Sequence, residues 1–134
     1  MALLTGKERS SYVQKMFTRI AKHYDLMNTL MTAGGDNRLR KEAVRLANLK
    51  PEDRVLDLGA GTGMLTVEAA RVVPGKNIYP SDFTLEMLLR GSHWGESRPC
   101  CSDALQLPYA DEQFDVVMSG FLVRNVGNLQ QVLA

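Results

Sequence analysis

Two cysteines in 134 residues, Cys100 and Cys101, are too few and too close together to staple a small fold. Adjacent cysteines rarely close a structural disulfide and have no zinc-type spacing, so reduced, partly buried thiols and no metal site are expected. Long apolar runs are also missing, since none approaches the ~18 residues that a membrane-spanning helix requires. The N-terminus carries no apolar signal-peptide core, and the expectation is a cytoplasmic chain. Net charge is almost nil, at +1, which leaves no electrostatic case for nucleic acid or an anionic membrane surface. There is no internal repeat and no low-complexity tract. What remains is 45% apolar and 23% charged, the composition of one globular domain.

Against that background one stretch stands out. Arg54-Val55-Leu56 leads into Asp57-Leu58-Gly59-Ala60-Gly61-Thr62-Gly63, which reads as a buried strand, a three-glycine turn and the start of an amphipathic helix. Glycine reaches φ > 0 and lets a ligand approach the main chain. The turn opens on a helix N-terminus, whose free N–H groups and dipole form a polar cradle. Asp82 ends the next strand-like run, 77–81, about 20 residues beyond the glycines, where an acidic side chain meets a ribose in nucleotide-binding βαβ units. The alternative for Asp82 is a cap on the helix starting near Thr84, and for Asp57 a cap on the loop.

Charge narrows the ligand. A dinucleotide fingerprint has G-x-G-x-x-G and aims its helix at a pyrophosphate. Here the spacing is G-x-G-x-G, and Met64 stands at the place of the third glycine. Asp57 at the strand tip would repel a phosphate and suit a cation. S-adenosylmethionine meets both conditions: it has no phosphate, its sulfonium is positive, and its α-ammonium pairs with a carboxylate.

The remaining pattern alternates helices and strands. Helical spacing covers 10–22 (Val13, Met16, Phe17, Ile20 on one face), 25–31 and 39–49, the last with Ala43, Leu46, Ala47 and Leu49 inward. After the glycine turn come a helix to about Val73, a strand over 77–81, a helix over 84–89, a weak strand around 98–102, a strand over 114–119 and a helix from Asn125. Such alternation implies a parallel sheet with flanking helices, and ligands then bind at the carboxyl ends of the strands. The glycine turn, Asp82, Asp103 and Ser119 all fall at such ends.

These residues resemble class I S-adenosylmethionine-dependent methyltransferases of Rossmann-like fold. Tyr24-Asp25-Leu26-Met27-Asn28, Asp103-Ala104-Leu105-Gln106-Leu107-Pro108 with Phe114-Asp115, and Arg124-Asn125-Val126 narrow the resemblance to the UbiE-like C-methyltransferases of ubiquinone and menaquinone biosynthesis. The resemblance implies residues 1–50 as a helical lid on the substrate side and 51–134 as the cofactor-binding core. It puts the methionyl end of the cofactor near Asp57, Gly59, Gly61 and Thr62, the ribose on Asp82, the adenine between Asp103 and Ala104, and Ser119 beside the sulfonium. It implies methylation of a polyprenyl quinol, with Arg124 stabilising a phenolate and Tyr24 walling the ring; His23 is a weaker candidate. Met16, Phe17, Leu26, Met27, Leu30 and Met31 are candidates for a channel around the isoprenoid tail, or for plain packing. Transient membrane-surface contact and a homodimer are the further expectations about partners.

The chain departs from the family at Thr32, Asp36 and Leu39, where a serine, a histidine and a tryptophan are usual, and at Met64, usually acidic. The family also continues for three more strands, so the chain is expected to be a fragment or a truncated homologue, with a sheet of about four strands. Three rivals stand beside this reading: methylation of another small acceptor, a non-catalytic S-adenosylmethionine-binding module, and a nicotinamide dehydrogenase.

Overall fold

The computed structural model describes residues 6–91, 93–120, 122 and 129–133. Three helices come first: α1 (Gly6–Ile20), α2 (Tyr24–Thr32) and α3 (Gly35–Ala47), with one turn of 3₁₀ helix over Ala21–His23 between the first two. Strand β1 (Val55–Leu58), helix α4 (Met64–Ala69), β2 (Ile78–Asp82), α5 (Leu85–Arg90), β3 (Cys100–Cys101), β4 (Val116–Met118) and α6 (Leu129–Leu133) follow. All strands run parallel in the order β3-β2-β1-β4.

The central strand explains its own sequence. Every residue of β1 is buried, including Asp57, as expected for a strand covered on both faces. Val55 pairs in register with Ile78 on one side and with Val116 on the other. These residues join Val44, Leu49, Leu65, Ala69, Val73 and Met118 in one apolar core. Strands β2 and β3 lie on one side of β1 and β4 on the other. The chain therefore reverses direction beside β1, and a crevice opens there at the carboxyl ends of β1 and β4.

Several boundaries differ from the periodicity reading, each for a physical reason. Helix α4 ends at Ala69, and the amides of Val72 and Val73 both bond back to the Ala69 carbonyl in a tight turn that still buries Val73. Strand β3 shrinks to two residues, and Pro80 on β2 has no N–H to extend the ladder between them. Helix α3 starts at Gly35, and its inward stripe is Asp36, Arg40, Val44 and Ala47; Ala43 and Leu46 face outward, the latter 67% exposed. A carboxylate and a guanidinium thus occupy the N-terminal end of a face read from sequence as purely apolar.

Candidate functional site

The glycine turn leaves β1 at the switch point and is tightly preformed. The amides of Gly59 and Ala60 both donate to the Ser81 carbonyl, at 2.8 and 2.9 Å, and Gly63 N–H donates to the Ala60 carbonyl at 2.9 Å. Gly61 N–H donates to Asp82 Oδ2 at 2.8 Å. Four amides of the turn that precedes α4 are thus satisfied within the protein. Its contribution is close main-chain approach, with φ of +74° at Gly59 and +59° at Gly61. At Gly63 (φ +87°) a Cβ would run into the ring of Trp94, which also covers Gly91 and donates from Nε1 to the Leu88 carbonyl at 3.1 Å.

Two cavities share this turn. One, of about 220 Å³, is lined by Asp57, Gly59, Gly61, Thr62, Ser119 and, from the N-terminal helices, Tyr24, Asp25 and Arg40. The other, of about 100 Å³, is lined by Asp82, Phe83, Asp103, Ala104, Leu105 and Leu122, again with Tyr24, Gly59 and Gly61. The expected cofactor residues therefore divide by position: Asp57, Thr62 and Ser119 in the larger cavity, Asp82, Asp103 and Ala104 in the smaller, and Gly59 and Gly61 in both. Arg124 lies outside the described residues.

Asp57 is the electrostatic centre. It is 0% exposed; Oδ2 accepts a 2.7 Å hydrogen bond from the Thr66 hydroxyl, and Oδ1 has no partner among the described residues. Burial pushes its pKa up to about 6; the Thr66 bond and the charge of Arg40 oppose this, and the charge of Asp82 adds to it. An unpaired buried carboxylate oxygen costs free energy unless something meets it.

Asp82 serves two masters. Beyond Gly61, its Oδ1 accepts from the Thr84 amide at 2.8 Å, so it fixes the short turn that leads into α5 and also pins the glycine turn. Burial raises its pKa while these backbone bonds work the other way. Asp103 likewise closes its own loop, accepting from Leu105 N–H at 2.9 Å while lining the smaller cavity.

Helices α1 and α2 close over the crevice through three ties. Gln14 Nε2 donates to the Phe83 carbonyl at 3.1 Å, Thr18 Oγ1 to Glu86 at 3.2 Å, and Thr62 Oγ1 to Asp25 Oδ1 at 2.7 Å. Tyr24 packs edge-on against Phe17, ring centroids 5.7 Å apart, between the two cavities. His23 is exposed. The apolar set proposed for a tail channel does not enclose one: Phe17 alone of its described members lines a cavity, and Leu26, Met27 and Leu30 are exposed. The side chain of Met31 lies outside the description.

Sequence reasoning missed Asp25, Arg40 and Phe83. Asp25 sits inside the quoted Tyr24–Asn28 motif, and Phe83 directly follows Asp82. Arg40 stands four residues after Asp36 on a helix, the spacing of an ion pair. Among the described residues no metal-ligand cluster is present, and no helix is long and apolar enough to cross a membrane.

Solved structures of similar shape define the class. An S-adenosylmethionine-dependent methyltransferase of Thermotoga maritima, a possible histamine N-methyltransferase, matches with TM-score 0.69 at 21% identity, over 90% of this chain and 53% of that one. Phosphoethanolamine N-methyltransferase 1 of Haemonchus contortus, solved with phosphoethanolamine and S-adenosylhomocysteine, matches with TM-score 0.66 at 21% identity, over 87% of this chain and 26% of that one. At such identities the likeness is one of fold, and the fold is the Rossmann-like architecture of class I methyltransferases.

Sequence is more particular. The profile of the ubiE/COQ5 methyltransferase family matches residues 5–134, and the chain belongs to that family. The demethylmenaquinone methyltransferase of Lactobacillus johnsonii is 41% identical over 138 aligned residues, covering 97% of this chain and 57% of that protein. The chain spans about half the length of the curated relatives it matches.

Proposed function

We propose that this chain binds S-adenosylmethionine and serves C-methylation of a polyprenyl quinol in menaquinone or ubiquinone biosynthesis. The observation that carries the reading is Asp57, a residue bordering a cavity at the glycine turn whose fully buried Oδ1 has no partner among the described residues. A cationic α-ammonium is the partner it calls for, and the internally bonded amides of the turn leave little to hold a pyrophosphate. Family membership and the demethylmenaquinone methyltransferase relatives support the acceptor class.

The residues fit such a cofactor in two halves. Asp57, Gly59, Gly61 and Thr62 hold the methionyl end, with Ser119 beside the sulfonium, in the larger cavity. Asp82 takes the ribose hydroxyls, and Asp103 with Ala104 reads the adenine edge, in the smaller. When bound, the cofactor supplies an electrophilic methyl group. Tyr24, lining both cavities, walls the acceptor ring, and Arg124 stabilises the phenolate that makes the ring carbon nucleophilic.

Segment 1–50 acts as lid and substrate side over the core 51–134, anchored by α3, whose Val44 packs in the common core. Leu26 and Leu30, exposed together on α2, are the surface for transient contact with the membrane that holds a polyprenyl substrate. Two free thiols, Cys100 and Cys101, accord with a cytoplasmic setting.

Calorimetric titration tests the cofactor assignment. S-adenosylhomocysteine should bind at least about tenfold more tightly than NAD, and comparable affinities would count against it. Transfer of a labelled methyl group to a demethylated quinol tests the acceptor, and transfer to other small acceptors alone would replace it.

A further inference from the structure

The net charge of +1 conceals a division along the chain. Residues 1–50 hold ten of the sixteen Lys and Arg but only four of the fifteen Asp and Glu, whereas 51–134 hold six and eleven. The helical lid is therefore basic and the core acidic. Three of the lid's four acids are also engaged internally. Asp25 accepts from Thr62, Asp36 is buried against Arg40, and Glu42 binds Arg45. Lys15, Arg19 and Lys22, spaced four and three residues apart, are all exposed and in no ion pair among the described residues. They run along α1 and the 3₁₀ turn after it, on the flank opposite Val13 and Phe17, which line the smaller cavity.

Helix α2 starts where this basic stripe ends, and its amphipathic sense is reversed. Tyr24, Asp25 and Asn28 are half-buried, with Asp25 tied to the glycine turn, while Leu26, Met27 and Leu30 are 59%, 41% and 71% exposed. A surface helix of a globular protein ordinarily turns its apolar stripe to the core. Exposed leucines beside unpaired cations are the pattern of a helix lying in a membrane interface, its apolar side chains in the acyl boundary and the cations among the headgroups. A nucleic acid would engage the cations through its phosphates and leave the leucines without a partner.

We infer that the lid docks on a bilayer bearing anionic headgroups, with Lys15, Arg19 and Lys22 against the headgroups and Leu26, Met27 and Leu30 entering the acyl boundary. This rests on the polyprenyl-quinol reading and deepens it, giving the membrane contact a sign of charge and an orientation. The same surface attracts the basic lid and repels the acidic core, so the division of charge turns the outer side of α1 and α2 to the lipid. The inner side of α2, with Tyr24, then places the crevice directly behind the docked face.

The test is sedimentation of the full chain with vesicles of neutral phosphatidylcholine, or of phosphatidylcholine and phosphatidylglycerol in equal parts. Binding should be strong on the mixture and weak on phosphatidylcholine alone. It should fall steeply as salt approaches ~1 M, where charges are screened beyond ~3 Å. One basic side chain at an anionic surface is worth roughly fivefold in partitioning, so Lys15→Gln with Arg19→Gln and Lys22→Gln should lose roughly a hundredfold. The matched variant Lys76→Gln with Arg90→Gln and Arg98→Gln removes the same charge from exposed positions of the core, and should stay within about threefold of wild type. Leu26→Ser with Leu30→Ser should weaken binding by roughly tenfold or more. S-adenosylhomocysteine affinity should hold within about twofold in every variant.

Equal binding to the two kinds of vesicle, or equal losses in the two triple variants, would overturn the inference. Retention on a DNA duplex without binding to anionic vesicles would do the same. A chain that ignores anionic vesicles yet methylates a demethylated quinol dispersed in neutral detergent would overturn it while sparing the function reading. Binding to anionic vesicles with no transfer to any quinol would remove that reading instead.

Discussion

Replacing Asp57 by Asn should change how the stability of the fold depends on pH. Asp57 is fully enclosed, and burial places its folded pKa at about 6 against an ordinary 3.8. Below pH ~4 both folded and unfolded chains hold the proton and the group contributes nothing. As pH rises from there to about 6, the unfolded chain has released a proton that the folded one keeps, so stability falls. Above that window the fold carries a charged carboxylate it would rather protonate, and at ~1.4 kcal/mol per pKa unit the cost is about 3 kcal/mol.

Urea unfolding at a series of pH values, run on wild type and Asp57→Asn, isolates this contribution. Asp36 and Asp115, whose pKa values are lowered, contribute in the opposite sense, but they are present in both chains and cancel in the difference. The wild type should lose about 3 kcal/mol relative to the variant between pH ~4 and ~7. A ligand ammonium that meets Oδ1 should lower the Asp57 pKa and remove most of that loss. Parallel stability curves for the two proteins would refute the claim that Asp57 is an unpaired buried acid.

Asp82→Ala should destabilise the fold by about 2–5 kcal/mol, since it strips an acceptor from both Gly61 and Thr84 amides; unaltered stability would reduce Asp82 to a ligand contact. Gly63→Ala should cost more than ~1 kcal/mol through left-handed strain, with Trp94 displaced as well; a thermal melt matching wild type would show that the ring yields freely. Asp25→Ala, which cuts the tie to Thr62, should speed limited proteolysis within α1 and α2 while the sheet stays protected; an unchanged cleavage rate would mean that the other two ties suffice.

The strand–turn–strand unit around Asp57 and Asp82 was legible because its signals are local. Val55 to Leu58 read as buried strand, the glycines as a turn, and an acid stands at the next strand end. The parallel sheet with flanking helices followed from the alternation of the elements. Other features depend on contacts between segments distant in sequence. No local pattern shows that the Ser81 carbonyl collects two amides of the turn, or that Asp82 collects a third. The inward face of α3 was misread because apolar residues were taken as the sole markers of burial, whereas Asp36 and Arg40 satisfy each other and turn inward together. The lid ties are polar, single and formed across long sequence gaps, so periodicity carries no trace of them.

Trp94, seated against Gly63 and Gly91, is the chain's single tryptophan. The protein therefore carries its own optical probe at one spot, where helix α4 leaves the glycine turn. Any ligand that reorders the turn changes the polarity and packing around that indole, and the emission has no second source to dilute the response. Fluorescence titration can follow occupancy of the crevice without a label or a coupled assay. Emission that holds constant up to saturating ligand would mean that the turn receives its guest as a rigid frame.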